Sequence, residues 1–283
     1  MFELTPEEAL TKRNELVEMG YTIFPDVMQA DFVQELRIWS DNIFARLPVD
    51  PKLRYQGSDI HVVTERKWKE FEDREPDERT FPDPMCERMI DLPKQWEVCR
   101  EIGLEGQIAD DIVIILSKPG YGPPLYWHQD FMRWNDPVAA TPWPTRIFLS
   151  YYLTDTNQEN GCLRVIPGTH LKRIKLHELL PAAHGEDIQA IDNMQHPAFL
   201  DHPDAIDLPC KAGDLVIADA RVLHAAWPNQ TNQRRTLLLA WHRVFPFPGT
   251  PSWWEGDIPE VVRNADPSDT YEGTRIPGEH LPY

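Results

Sequence analysis

The chain has 283 residues, 41% of them hydrophobic, and a formal net charge of −18 at pH 7. Such an acidic surface repels nucleic-acid phosphates and anionic membranes, so neither is expected as a partner. The sequence begins without the basic and apolar parts of a signal peptide and has no apolar run long enough to span a membrane, so a cytoplasmic protein is expected.

The first third of the chain is predicted to be helical. Thr5 followed by Pro6 and two acidic residues is typical of a helix start, and this helix is expected to end near Gly20. A short strand is predicted at 21–24. Two further helices are predicted from apolar spacing and turn residues, at 31–47 and 94–103. The charged segment 48–92 is interpreted as a solvated surface excursion, with a flap over an active site as the alternative.

From residue 110 the pattern changes to short strands separated by turn residues. These strands are predicted at 111–117, 126–130, 146–153, 162–166, 215–219 and 235–244. Asn160-Gly161 predicts a hairpin before 162–166, and 171–207 is expected to be a long irregular insertion. Helices first and short strands afterwards favour a β-sandwich or jelly roll with helices packed on its outside.

A His-x-Asp pair follows the turn after the first buried strand. On an extended strand His128 and Asp130 face the same side, where an imidazole and a carboxylate can provide two ligands of a metal site. We predict that His224 provides the third ligand. Two histidines and one carboxylate with open positions form the facial triad of non-haem Fe(II) oxygenases. A second copy, His202 and Asp204, lies in the proline-flanked insertion and is the weaker candidate.

The other histidines are interpreted as structural. His170 ends a Pro-Gly-Thr-His turn and is expected to make structural hydrogen bonds. His242 lies an odd number of positions from Arg235 on the last strand, so the two should face opposite sides. The histidines of the insertion are expected at the surface: His177, His184 and His196.

The chain resembles the phytanoyl-CoA dioxygenase family of Fe(II)/2-oxoglutarate-dependent oxygenases. The resemblance rests on motifs in order: Lys118-Pro-Gly before Trp127-His-Gln-Asp130, Asn160-Gly-Cys-Leu-Arg-Val-Ile-Pro-Gly-Thr-His170, Ala212-Gly-Asp-Leu, and His224 followed by Asn229, Thr231 and Arg235. It implies a double-stranded β-helix, a cupin-like jelly roll, that binds Fe(II) through His128, Asp130 and His224 and uses 2-oxoglutarate and O2.

The resemblance also implies how the co-substrate is held. Arg235 matches the partner of the distal carboxylate of 2-oxoglutarate, and Trp134 and Ser150 match further co-substrate contacts. A hydroxyl residue often found two positions after the distal histidine is replaced here by Ala226. The guanidinium fork of arginine suits a bidentate carboxylate, and alternation with the leucines that follow turns Arg235 inward and its neighbour Arg234 outward.

We therefore expect a mainly β fold with flanking helices in one domain, 1–283. Residues 1–109 would form a helical support and flap, 110–245 the jelly-roll core and 246–283 a C-terminal wrap. Loop 131–144 is predicted to border the substrate pocket, with Trp134 near the co-substrate. The sequence does not indicate the oligomeric state.

The expected activity is a dioxygenase that hydroxylates an unactivated C–H bond of a small molecule. Halogenating relatives carry a small residue where Asp130 stands, so hydroxylation is favoured over halogenation. Two alternatives remain open: a cupin-like metal enzyme that does not use 2-oxoglutarate, and a non-catalytic metal or ligand binder.

Overall fold

The structure, a computed structural model, describes residues 4–46, 59–64, 80–81, 84–130, 136–181, 183, 186–191 and 193–269. The α-helices in these ranges are α1 (Pro6–Asn14), α2 (Ala30–Arg46), α3 (Pro84–Ile90), α4 (Pro93–Glu101), α5 (Lys175–Leu179), α6 (Glu186–Gln189) and α7 (Glu260–Arg263). A π-helical turn, Glu15–Met19, continues α1, and a 3₁₀ turn covers Pro137–Ala140. None of the helices in the described ranges has the length and apolarity needed to cross a membrane.

The strands form two sheets. They are β1 (Tyr21–Phe24), β2 (Asp59–Thr64), β3 (Thr80–Phe81), β4 (Ile108–Lys118), β5 (Leu125–His128), β6 (Arg146–Tyr152), β7 (Leu163–Val165), β8 (Ile206–Leu208), β9 (Leu215–Asp219), β10 (His224–Ala226) and β11 (Arg235–Arg243). The large sheet has the order β1-β9-β6-β11-β4-β2-β3 and the small sheet the order β5-β10-β7-β8. Every pairing is antiparallel except β2 with β3, so the prediction of a mainly β fold with flanking helices is confirmed.

The first helix begins and ends as its sequence predicts. The Thr5 hydroxyl accepts a hydrogen bond from the Glu8 amide, and the Glu8 carboxylate accepts one from the Thr5 amide, which together form a capping box. Gly20 closes the following π turn at φ 87°, a conformation that glycine adopts without strain. The chain then enters β1, which pairs with β9 at the edge of the large sheet.

The two faces of the large sheet pack against two different hydrophobic clusters. Alternate residues of β6 show the division: Ile147, Leu149 and Tyr151 pack with the helices, whereas Phe148 and Tyr152 pack toward the small sheet. The helices therefore cover the outer face of the large sheet. The inner face is left to enclose a cavity with the small sheet.

The prediction of a hairpin at Asn160-Gly161 is wrong. The strands on either side, β6 and β7, lie in different sheets. Gly161 adopts φ 91°, and a Cβ at this position would come within 2.7 Å of the Trp227 carbonyl oxygen. This turn therefore carries the chain across from the large sheet to the small one, where glycine is needed for close backbone approach.

The segment interpreted as a surface excursion, 48–92, and the one predicted to be an irregular insertion, 171–207, both contribute to the packed structure. Within 48–92, β2 pairs with β4 along six positions, and Met89 and Ile90 of α3 are buried. Within 171–207, Leu176, Leu180 and Ile188 pack in one cluster with Trp127. The interpretation of 48–92 as a solvated excursion is thus wrong for its described parts, because tertiary pairing overrides the charged local composition.

Candidate metal centre

His128 and His224 are brought together by strand pairing. β5 and β10 are antiparallel neighbours, and these two histidines are direct partners in the register. Asp130 lies just beyond the end of β5, where its amide donates a hydrogen bond of 2.9 Å to the Ala220 carbonyl. The backbone on both sides of the site is therefore held by strand pairing or by a hydrogen bond next to it.

The three side chains present a compact set of ligand atoms. One atom from each of His128, Asp130 and His224 lies within 4.8 Å of the others. Asp130 Oδ1 is 3.7 Å from His128 Nε2 and 3.8 Å from His224 Nε2. Within the described ranges, no second group of three histidine, cysteine or acidic residues has such spacing.

The hydrogen bonds of the two imidazoles determine which nitrogen is available. His128 Nδ1 lies 2.9 Å from the Tyr126 carbonyl oxygen, and His224 Nδ1 lies 3.0 Å from that of Val222. A carbonyl oxygen only accepts, so each neutral ring carries its proton on Nδ1 and presents the Nε2 lone pair to Asp130. Two imidazole nitrogens and one carboxylate oxygen suit a divalent transition metal such as Fe(II).

These ligand atoms face a cavity of about 330 Å³ between the two sheets. Its wall is mostly apolar and includes Ile114, Leu116, Phe148, Leu163, Leu237 and Leu239. Arg235 and Trp241 also line it, six residues apart on β11, which corresponds to about 20 Å along a strand. Trp241 contacts Asp130 of the candidate ligand set, so Arg235 lies toward the opposite end.

Arg235 forms the base of the cavity and is 3% exposed. Its Nε has no hydrogen-bond partner in the described part of the chain, and Tyr152, whose hydroxyl interacts with the Cys210 thiol, also lines the cavity. Burial lowers the pKa of Arg235, and burial raises the pKa of Tyr152 well above its ordinary value. A buried cation with an unpartnered N–H is a site to which a carboxylate adds favourably.

A second basic residue, Lys118, lies beside Arg235. It pairs directly with Arg235 in the β4–β11 register and is fully buried. Its Nζ donates to the carbonyl oxygens of Pro123, at 3.0 Å, and Trp227, at 2.7 Å. Burial, and then the charge of Arg235, lower the pKa of Lys118 well below its ordinary value. The positive charge of Arg235 therefore favours an anion here, in contrast to the acidic protein as a whole.

The structure places most of the predicted site residues together. Ser150 is buried and lines the cavity, whereas Trp134 lies outside the described residues. Arg234 faces outward, with its guanidinium 4.9 Å from the ring centroid of Phe44 on α2. His242 faces the helices, where it packs against Trp96, so its predicted orientation is confirmed.

The structure also tests the interpretation of the remaining histidines. His170 is buried, and its Nε2 lies 2.9 Å from the Val17 carbonyl oxygen, as expected of a structural residue. His177 was expected at the surface, which is wrong: it is 1% exposed, and its Nε2 lies 3.1 Å from Gln129 Nε2. His184 lies outside the described residues.

Sequence reasoning missed a buried turn, Asp219 to Val222, that holds several parts of the site. Gln129, between two predicted ligands, donates to the Arg221 carbonyl oxygen. The Arg221 guanidinium forms an ion pair with Asp219. It also donates to three carbonyl oxygens of the segment after Asp130, those of Ala139, Thr141 and Trp143, at 2.8–3.1 Å.

Of the site residues that the sequence analysis missed, some could have been identified from a sequence pattern and others could not. Tyr152 lies an even number of residues from the predicted contact Ser150, and Trp241 lies an even number from Arg235, so strand alternation could have identified both. No local signal marks Arg221, because its partners are three backbone carbonyls about 80 residues earlier in the chain.

Comparison with known proteins agrees with this geometry. A model of the family Phytanoyl-CoA dioxygenase (PhyH) matches residues 16–237. The chain is 30% identical over 125 residues to a probable alpha-ketoglutarate-dependent hypophosphite dioxygenase of Stutzerimonas stutzeri, covering 43% of this chain and 40% of that protein. It is 26% identical over 200 residues to the ectoine dioxygenase of Nocardia farcinica (strain IFM 10152), covering 66% of this chain and 62% of that protein.

The fold is shared with solved structures. One is the epimerase SnoN in complex with Fe3+, alpha ketoglutarate and nogalamycin RO, with a TM-score of 0.58 and 19% identity, covering 98% of this chain and 99% of that one. At this identity, the similarity shows the fold alone.

Proposed function

This chain belongs to the phytanoyl-CoA dioxygenase family, and from that premise we propose that it is a non-haem Fe(II)/2-oxoglutarate-dependent dioxygenase acting on a small molecule. The observation that carries the proposal is the compact set of His128, Asp130 and His224, whose ligand atoms face a cavity with Arg235 at its base. Relatives named as dioxygenases of ectoine and hypophosphite support the reaction class but not a shared substrate.

Each ligand has a defined role in this proposal. His128 and His224 hold Fe(II) through Nε2, and their Nδ1–H bonds to backbone carbonyls keep the rings in place. Asp130 supplies the carboxylate oxygen between them. When bound, the iron supplies the oxidative chemistry, in which 2-oxoglutarate is converted to succinate and CO2 and the substrate is oxidised with O2.

The base of the cavity holds the co-substrate. Arg235 binds the distal carboxylate of 2-oxoglutarate, and the hydroxyls of Tyr152 and Ser150, which line the same cavity, are available to the bound molecule. This assignment is supported by the burial of Arg235 and its unpartnered Nε, since a buried arginine ordinarily has an anionic partner. Trp134 is proposed to lie near the co-substrate as well.

Within this reaction class, the proposed reaction is hydroxylation of the substrate. Asp130 occupies the position that would be small in a halogenating relative, and the apolar wall beside the ligands suits an unactivated C–H bond. We further propose that the two sheets form a double-stranded β-helix, with residues 1–283 as one domain in the three parts expected from the sequence.

The test is succinate release under air with Fe(II) and 2-oxoglutarate. Purified protein should release succinate only when both are present, and a screen of metabolite pools should find a substrate that accelerates release. A cupin-like enzyme that does not use 2-oxoglutarate would turn over without it, and a non-catalytic binder would take up metal without releasing succinate. Either result would refute the proposal.

A further inference from the structure

We propose that Trp241 is a positioning residue that holds the Asp130 carboxylate so that one oxygen, Oδ1, faces the metal and the other is withheld. This inference rests on the proposed function, because it takes Asp130 to be a metal ligand. Trp241 was not among the residues that the sequence predicted for the site, and its role follows from one hydrogen bond and its surroundings.

The two oxygens of Asp130 have different partners. Oδ1 lies between the imidazoles, 3.7 Å and 3.8 Å from the Nε2 atoms of His128 and His224. Oδ2 accepts a hydrogen bond from Trp241 Nε1 at 2.9 Å. An indole N–H is a donor only, and its bond to a carboxylate is charge-assisted. The indole therefore fixes the rotation of the carboxylate and occupies Oδ2.

The position of Trp241 is set by the strand pairing on both sides of β11. It pairs with Phe148 of β6 in the register, and the Phe148 ring lies 4.8 Å from the ring of His224. On its other side the β11–β4 register shifts between Ala240 and His242, an irregularity directly at Trp241. Irregular pairing of this kind re-aims a side chain near a site. His242, the next residue, is buried on the opposite face and anchors the backbone there.

The consequence concerns the number of coordination positions left for other groups. A facial triad with one oxygen from its carboxylate leaves three positions of an octahedral metal open. If Oδ2 also bound, only two would remain, and a chelating 2-oxo acid would fill both. By occupying Oδ2, Trp241 favours chelation of 2-oxoglutarate without removing the position that O2 needs.

The experiment separates metal affinity from co-substrate affinity. Trp241→Phe keeps an aromatic ring in the cavity wall and removes the donor. Calorimetric titration without O2 would measure Ni(II) binding to the metal-free protein, then 2-oxoglutarate binding to the Ni(II)-loaded protein. We expect 2-oxoglutarate to bind about tenfold more weakly in the variant, the size of one charge-assisted hydrogen bond, while Ni(II) binds at least as tightly.

A matched control is available in Trp227. Its Nε1 donates to Asp207 Oδ1 at 2.8 Å, so Trp227→Phe removes the same kind of indole–carboxylate bond on the outer side of the small sheet. This control should leave 2-oxoglutarate affinity unchanged. The inference is overturned if Trp241→Phe binds 2-oxoglutarate within twofold of the wild type, or if it loses Ni(II) and 2-oxoglutarate affinity in parallel with thermal stability.

Failure of the ligand assignment gives a different result. His128→Ala should abolish Ni(II) binding, whatever Trp241 does. If His128→Ala binds Ni(II) normally, the metal site proposed here is wrong and the role of Trp241 is wrong with it. If His128→Ala loses the metal and Trp241→Phe behaves like the wild type, only the role of Trp241 is refuted.

Discussion

Arg235 and Lys118 are directly opposite each other in the β11–β4 register, and both side chains are buried. Burial and the neighbouring charge of Arg235 lower the pKa of Lys118, so Arg235 is the member of the pair that keeps its positive charge and favours an anion. The Lys118 amine has two carbonyl acceptors, whereas Arg235 Nε has no hydrogen-bond partner in the described part of the chain. This difference supports the proposal that Arg235 is the side chain that meets an incoming carboxylate.

Replacing Arg235 should impair use of the co-substrate. Arg235→Ala is expected to raise the KM for 2-oxoglutarate about tenfold or more, since a charge-assisted bond contributes roughly 1.5–3 kcal/mol. Arg235→Lys should recover only part, because an ammonium lacks the two-pronged geometry. The assay is 2-oxoglutarate-dependent succinate formation.

Arg234→Ala is the matched control, because Arg234 is the adjacent arginine on the outer face. It should leave the KM for 2-oxoglutarate unchanged. A defect in Arg234→Ala with none in Arg235→Ala would contradict the assigned role. A defect in neither would favour a metal enzyme that does not use 2-oxoglutarate.

Removing a histidine ligand should abolish metal binding. His128→Ala and His224→Ala each take away one of the two imidazole donors, whereas Asp130→Ala leaves both imidazoles and should weaken metal binding without abolishing it. The measurement is Ni(II)-dependent thermal stabilisation, which needs no turnover. His202→Ala removes the histidine of the second His-x-Asp copy and should retain the full metal-dependent shift. Loss of the shift in this control would show that the wrong copy was chosen.

Lys118 should make the stability of the metal-free protein depend on pH. Its folded-state pKa lies well below the ordinary value of 10.5, so between the two values the unfolded state binds more protons. The free energy of unfolding should therefore rise with pH in that interval. Lys118→Met removes the titrating group and should flatten this rise, although it also lowers stability at every pH by leaving two buried carbonyls without a donor.

Urea unfolding at about pH 7 and about pH 8.5 measures this slope. Both values lie below the ordinary thiol pKa of 9.0, so Cys162 and Cys210, whose pKa values burial raises to about 11 and about 12, contribute little. Equal slopes in wild type and Lys118→Met would show that Lys118 is not the group responsible.

The buried pair of Arg221 and Asp219 should be important for folding. Burial opposes ionisation of Asp219, yet the charge and hydrogen bonds of Arg221 hold its pKa below the ordinary value. Arg221→Met leaves that carboxylate uncompensated and is expected to cost about 3–5 kcal/mol of stability. The double variant Asp219→Leu/Arg221→Met should recover part of the loss, but not the hydrogen bonds to Ala139, Thr141 and Trp143. Urea unfolding of the single and double variants tests this; full recovery would mean that these three bonds add nothing.

Local sequence was sufficient to predict most of the regular elements near the site. Capping chemistry at Thr5, helical spacing in α2 and the apolar run of β4 predict their own structures, because each signal acts between residues close in sequence. The same holds for the inward direction of Arg235, since alternation along one strand determines which face a side chain occupies.

Which helices and strands pack against one another was determined only by the tertiary structure. The register that sets His224 opposite His128 joins residues 96 positions apart, and the turn at Gly161 moves the chain between sheets rather than closing a hairpin. The hydrogen bond of Trp241 to Asp130 and the contacts of Arg221 also link distant segments. Sequence patterns report which face of an element is buried, because burial follows from local periodicity. Which partner lies across that face depends on how the two sheets stack, and that is determined only when the whole chain packs.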